Sequence, residues 1–208
     1  MIKSRDQVRP ETGSGRGTVT RQRLTQAAME LVAEFGWDGP TTRQIAERAG
    51  ANQALINYHF GSKRGLLIAA LNVALHQGFD GPVRAVLAGP TLAAGVARLV
   101  EELGRIDEAG PLVRFSMEAL GQAPRDEEVR HVMANVLGEL RAQLAEGVAE
   151  AQARGELPAH LDPLGTATVL AAAFDGLGLH LAVDPAVDLR AAAAAASALV
   201  GPRIGTDV

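Results

Sequence analysis

Cysteine is absent from the 208 residues, so neither a disulfide nor a thiolate metal site is available. Histidine occurs, but not in ligand spacing. Asp175 and His180 are five apart and do not share a helix face, and His59, His76, His131 and His160 are scattered. No metal site and no cofactor are expected. No Ser-His-Asp set or carboxylate pair announces itself, which weighs against an enzyme. Runs of alternating β-branched residues are missing, so the chain reads as all-α. No N-terminal stretch joins charge, an apolar run and a cleavage signal, which gives a cytoplasmic location as the expectation. The one long apolar run, Leu164 to Val183, is about membrane length. It contains Asp175, His180 and three glycines, which argue for a buried helix and no membrane partner.

What is present is a hydrophobic content of 47%, enough for a sizeable core, and a net charge of −4 that conceals an asymmetry. Residues 1–64 carry ten Lys/Arg against six Asp/Glu, and 65–208 carry ten against eighteen. A basic N-terminal part is drawn to phosphate, and an acidic remainder is kept away from it. The basic part contains PTTRQIAERAGANQALINYHFGSK, Pro40 to Lys63. Thr41 and Gln44 form a capping box that starts a helix at Thr42, and Gly50 suits a left-handed C-terminal cap. Asn52 is an N-cap for a second helix reaching about Phe60. Two short helices around a Gly-containing turn make a helix-turn-helix. At 100° per residue, Gln53, Ala54, Asn57 and Tyr58 lie on one side of the second helix, opposite Ile56 and Phe60. Gln and Asn can bond an adenine edge in the major groove, and Tyr can reach a phosphate or a thymine methyl. Ordinary solvated residues are the alternative for such a face.

Three runs together resemble the N-terminal DNA-binding domain of the TetR family of bacterial transcriptional regulators. They are Ala28 to Trp37, Thr41 to Gly50 (TTRQIAERAG) and Ile56 to Leu67 (INYHFGSKRGLL), within roughly residues 20–67. The resemblance implies that Thr42 and Arg43 open the helix lying across the groove. It places Gln53, Ala54, Asn57, Tyr58 and His59 on the recognition helix and Lys63 on phosphate. Many members have an aromatic residue where this chain has Asn57, so the operator sequence does not carry over. The run LAAAFDGLGLHLAVDP further resembles the C-terminal domain of regulators similar to BetI, from which choline does not follow as the effector.

Around this motif the chain divides into a flexible basic arm (1–18), the helix-turn-helix domain (19–67) and a helical ligand-binding and dimerisation domain (68–208). Lys3, Arg5, Arg9 and Arg16 could reach a minor groove or simply be solvated. Gly13, Gly15 and Gly17 lack the preceding strand and spacing of a phosphate loop. From Thr20, the stripe Leu24, Ala27, Ala28, Leu31, Val32 and Phe35 predicts an amphipathic helix ended by Gly36. Trp37 then packs into the three-helix core, with Arg21 and Arg23 near phosphate. Ser62 caps a helix from Lys63 to near Gly78. Further helices are expected over Thr91–Glu108, Leu112–Leu120, Asp126–Arg154, Pro163–Val183 and Leu189–Val200, about nine in all.

The long helix from Asp126 presents an apolar stripe to a bundle core, to which Leu99, Leu103, Phe115, Met117 and Leu120 are expected to contribute. The resemblance implies an effector site among these helices. The expected ligand is small and largely apolar, and the candidate pocket residues are Phe79, Leu103, Phe115, Met133, Val136 and Phe174. Arg114 and Glu118, four apart, are either a surface ion pair or polar anchors for a ligand. The last two helices are so rich in Ala, Gly and Leu that a partner subunit is their natural cover, giving a two-fold homodimer. The resulting reading is a DNA-binding regulator, a repressor released from double-stranded operator DNA by its effector. An all-helical dimeric scaffold without an effector site is the alternative.

Overall fold

A computed structural model describes residues 13–103, 110–184 and 186–201, and among these residues every regular element is an α-helix. The helices are α1 (Gly13–Phe35), α2 (Thr42–Ala49), α3 (Ala54–Phe60), α4 (Lys63–Leu87), α5 (Leu92–Leu103), α6 (Pro111–Gln122), α7 (Glu127–Ala153), α8 (Pro163–Val183) and α9 (Leu189–Leu199). The all-α expectation and the N-terminal helix-turn-helix followed by a helical bundle hold.

Capping explains most of the boundaries. Ser62 Oγ accepts from Gly65 N at 3.0 Å, Asp162 Oδ2 from Gly165 N at 2.6 Å, and Asp188 Oδ1 from Arg190 N and Ala191 N at 3.0 Å each. Each satisfies amides that a first helical turn leaves unpaired. Pro163 follows its cap at the first helical position, where a missing N–H costs nothing. Thr91 Oγ1 accepts from Ala94 N at 3.1 Å ahead of α5. The expected end of that helix at Glu108 lies outside the described residues.

Several expectations need correction. α1 begins at Gly13, so the last residues of the expected flexible arm, including Arg16, are helical; Lys3, Arg5 and Arg9 lie outside the described residues. Once the buried stripe from Leu24 has nucleated the helix, each added glycine costs only about 1 kcal/mol relative to alanine. Phe35 is 58% exposed and not part of that stripe, because Gly36 (φ 80°) turns the chain and Trp37 takes the buried place. α4 continues past Gly78 to Leu87, through Pro82. An interior proline costs about 3 kcal/mol, but burial of Val83 and Val86 beyond it returns roughly 1.5–3 kcal/mol each. On α6, Met117 and Leu120 are exposed, since Phe115 and Ala119 form the docking face and the other two point away from it.

Two apolar clusters are built. The first joins α1, α2, α3 and the near half of α4 to Phe115 and Ala119 of α6 and to Val129 and Val136 of α7. The second joins the far half of α4 to α5, α7, α8 and α9. Phe79 of α4 packs against both. Trp37 therefore finds its ring partner outside the three-helix core, with its centroid 5.7 Å from Phe115. α8 also departs from expectation. Of its side chains only Ala167, Ala171 and Leu181 are buried, and a broad apolar face is open. By length and composition it could cross a membrane.

Candidate nucleic-acid interface and effector cavity

The reading head is held by short-range chemistry. Gln44 N donates to Thr41 Oγ1 at 3.2 Å while Thr41 N donates to Gln44 Oε1 at 2.8 Å, which closes the capping box at the start of α2. Gly50 takes φ 57° and ψ 43°, the left-handed region, and its carbonyl accepts from Arg23 Nη2 at 3.3 Å. Asn52 Oδ1 then accepts from Ala54 N at 2.8 Å. The asparagine thus caps as expected but closes a short turn through Gln53, so α3 starts at Ala54 instead of directly after Asn52.

Ile56 is fully buried beneath α3, whereas Gln53, Ala54 and Asn57 are exposed and Tyr58 is 81% exposed. Those four share the outward side. His59 is half-buried between Tyr58 and Phe60, with ring centroids 4.9 and 6.1 Å away. Gln53 Nε2 donates to Thr42 Oγ1 at 2.8 Å, so the residue just ahead of α3 is tied to the first residue of α2. Arg43 pairs with Glu47 at 2.8 Å on the open surface, and this carboxylate raises the guanidinium pKa. Lys63 Nζ donates to the Asp38 carbonyl at 3.0 Å, which sets the ammonium beside the loop before α2. Arg21 and Arg23, expected near phosphate, both make contacts within the head. Arg21 stacks over Phe60 at 5.2 Å and Arg23 holds the turn. Arg48 ties α2 back to α1 through a forked bond to Glu34, 2.8 and 3.1 Å, which lowers the Glu34 pKa.

Two polar ties add to the apolar packing that joins the head to the bundle. Arg64 bonds Asp126 and Glu128 at the start of α7, and Trp37 N donates to Glu118 Oε2 of α6 at 3.3 Å. Glu118 makes no ion pair with Arg114 among the described residues and instead ties α6 to the loop after α1.

In the bundle, a cavity of about 560 Å³ lies between the far half of α4 and α5, α7, α8 and α9. Phe79, Val83 and Val86 reach it from α4, Val96, Leu99 and Val100 from α5, and Leu140 and Leu144 from α7. Its remaining wall is α8, with Leu170, Phe174 and Leu177, and α9, with Ala196 and Val200. The polar side chains there, Asp162 and Thr166, are occupied with capping. Asp162 accepts from Gly165 N, and Thr166 Oγ1 donates to the Asp162 carbonyl at 2.8 Å. Of the six expected pocket residues, Phe79 and Phe174 line this cavity and four do not. Phe115, Met133 and Val136 pack in the first apolar cluster, and Leu103 is buried near the end of α5. Periodicity marks inward-facing residues but not which of two cores they face. Of the α8 and α9 walls, only Phe174 was among the expected pocket residues.

Residues 24–70 match the family model described as bacterial regulatory proteins, tetR family, and residues 92–202 match that of the BetI-type transcriptional repressor C-terminal domain. The chain belongs to the TetR family, with a BetI-type C-terminal domain. The HTH-type transcriptional regulator BetI of Rhizobium meliloti (strain 1021) is 32% identical over 173 residues, which span 83% of this chain and 82% of that protein. A TetR-family transcriptional regulator from Rhodococcus sp. has the same fold, with a TM-score of 0.69 and 26% identity over 88% of this chain and 97% of its own. A regulator from Saccharomonospora viridis in complex with choline shares the fold at a TM-score of 0.71 and 22% identity, covering 88% of this chain and 96% of that one. This TetR-family protein is thus a DNA-binding transcriptional regulator. Members of the family form homodimers, bind operator DNA and respond to small-molecule effectors, typically as repressors.

Proposed function

We propose that the protein represses transcription as a homodimer, reading a pseudo-palindromic operator with α3 of each subunit, and lets go when a small apolar molecule occupies the cavity. In this reading Gln53 and Asn57 address base edges, and Ala54, Tyr58 and His59 complete the contact surface. Thr42, Arg43 and Lys63 hold the backbone. Residues 19–67 act as the head, 68–208 as the sensing and dimerising part, and the site of action is the cytoplasm. The observation that carries it is the continuity of α4. Its first residue, Lys63, stands just beyond the recognition helix, and its far half forms a wall of the cavity. Movement of that wall changes the separation of the two heads, which must match about one turn of DNA, roughly 34–36 Å, or a multiple of it.

The walls favour a neutral ligand over choline. A quaternary ammonium is best held by an aromatic cage, and this cavity offers two phenylalanines among otherwise aliphatic walls, with its one carboxylate, Asp162, at the start of α8 bonded through Oδ2 to Gly165 N. The test is operator affinity by fluorescence anisotropy during titration with apolar metabolites and with choline. Release by an apolar compound and none by choline is expected; release by choline at the same site would overturn the assignment.

A further inference from the structure

The cavity has a polar end and a direction. Along α8 its lining runs from Asp162 and Gly165 at the helix start to Phe174 and Leu177, about 22 Å at ~1.5 Å per residue. A space of about 560 Å³ drawn out over that distance is a narrow trough. Its walls are apolar except around Asp162 and Thr166, and no basic side chain lines it among the described residues. The donors at that end are already taken. Gly165 N donates to Asp162 Oδ2 at 2.6 Å, Thr166 N donates to the Asp162 carbonyl at 2.9 Å, and the Thr166 hydroxyl gives its one proton to the same carbonyl at 2.8 Å. Pro163 has no N–H, and Leu164 lies outside the lining. What remains is acceptors: Asp162 Oδ1, which makes no hydrogen bond among the described residues, and the lone pairs of Thr166 Oγ1.

We propose that the effector is an elongated amphiphile, a medium-chain alcohol in chemical class, whose chain lies along α8 and whose hydroxyl donates to Asp162 at the helix start. The inference rests on reading the cavity as the effector site. The chain supplies the affinity, and the acceptor-only end selects the head group. A carboxylate head would meet Asp162 as a like charge with no basic side chain to offset it. An ether head would bring an acceptor to acceptors. An ammonium head would lose more hydration than the exposed Asp162 carboxylate restores.

The test measures binding to the full chain by titration calorimetry and operator release by fluorescence anisotropy. The probes are 1-hexanol, 1-octanol, 1-decanol, decanoate, decylammonium and 1-methoxynonane, the isomer of 1-decanol that lacks a donor. Affinity should rise about fourfold per carbon along the alcohols. 1-Decanol should bind about fivefold tighter than 1-methoxynonane, and tighter than decanoate or decylammonium. Asp162→Asn keeps a side-chain cap and sets an amide donor where Oδ1 stood. In that variant the alcohol and the ether, both able to accept, should bind alike, and decanoate should bind better than it does to the wild type. Equal binding of 1-decanol and its ether isomer to the wild type, decanoate or decylammonium binding as tightly as 1-decanol, or an affinity that levels off at 1-hexanol would each overturn the proposal. Alcohols that bind in the expected order yet leave the operator bound would overturn the effector reading and leave the ligand class standing. Release of operator by compact apolar compounds alone would do the reverse.

Discussion

Arg64, the second residue of α4, forks onto Asp126, the N-cap of α7, with Nη2 2.8 Å from Oδ1, and its Nε lies 3.0 Å from Glu128 Oε2. Asp126 Oδ1 also accepts from Glu128 N and Val129 N, at 3.0 and 3.1 Å. One carboxylate therefore both starts the long bundle helix and holds the helix that carries the head.

These two duties separate by substitution. Asp126→Ala should cost about 1–2 kcal/mol, since it removes a helix cap as well as a charge. Asp126→Asn keeps a good cap, and like Arg64→Ala should cost under about 1 kcal/mol, the worth of an exposed ion pair. Urea unfolding of the three variants checks the order, and equal losses for Asp126→Asn and Asp126→Ala would assign the role to charge alone.

The same pair has a pH signature. Hydrogen bonding from Arg64 holds the Asp126 carboxyl below its ordinary value. A depressed carboxylate pKa stabilises the folded state above the unfolded pKa, and that contribution is lost as pH falls through the folded value. The gap in stability between wild type and Asp126→Asn should therefore be full at pH 7 and shrink below pH about 4. Unfolding curves at the two pH values test this, and a gap that widens in acid would contradict it.

Gly50 should not tolerate a side chain. At φ 57° a non-glycine residue costs about 1–2 kcal/mol, and an added Cβ would fall on the Arg23 guanidinium. Gly50→Ala should destabilise by about that amount and Gly50→Asn by less, since asparagine visits this region more readily. Thermal unfolding checks the ranking.

Lys63→Ala is expected to weaken operator and random DNA alike and to lower the dependence of log affinity on log salt by ~1, because a phosphate contact carries no base information. Gln53→Ala or Asn57→Ala should instead cost about 1–3 kcal/mol on the operator and little on random DNA. Thr42→Val removes a backbone contact together with the oxygen that holds Gln53, so it should weaken random DNA as Lys63→Ala does and alter operator preference in addition. Anisotropy titrations across a salt series separate the two patterns.

Filling the cavity should uncouple sensing from DNA binding. Val100→Phe with Leu144→Phe adds bulk from α5 and α7 within a space of about 560 Å³. The double variant should bind operator normally and fail to release it with an apolar ligand. Retained release would place the effector elsewhere.

Elements with their own local chemistry were legible from sequence. Thr41, Gln44, Gly50 and Ser62 each act within a few residues of themselves, and each does in three dimensions what its spacing implies. The misreadings came from tertiary context. Gly78 and Pro82 look like a stop, but burial of Val83 and Val86 carries α4 through them. Phe115 is apolar and inward as periodicity requires, yet it faces Trp37 and not the cavity. The apolar face of α8 looks like core because composition and periodicity do not distinguish an apolar face that is buried within the chain from one left open.

Whether a two-fold protein reads DNA through α3 is tested most directly by selection of bound duplexes from a random pool with the purified 208-residue chain. A pseudo-palindrome whose half-sites are centred about 10 base pairs apart, or a multiple of that, should be enriched, with enrichment lost in Gln53→Ala. A pool that returns no common site, or a site with a single unrepeated half that Gln53→Ala selects equally well, would contradict it.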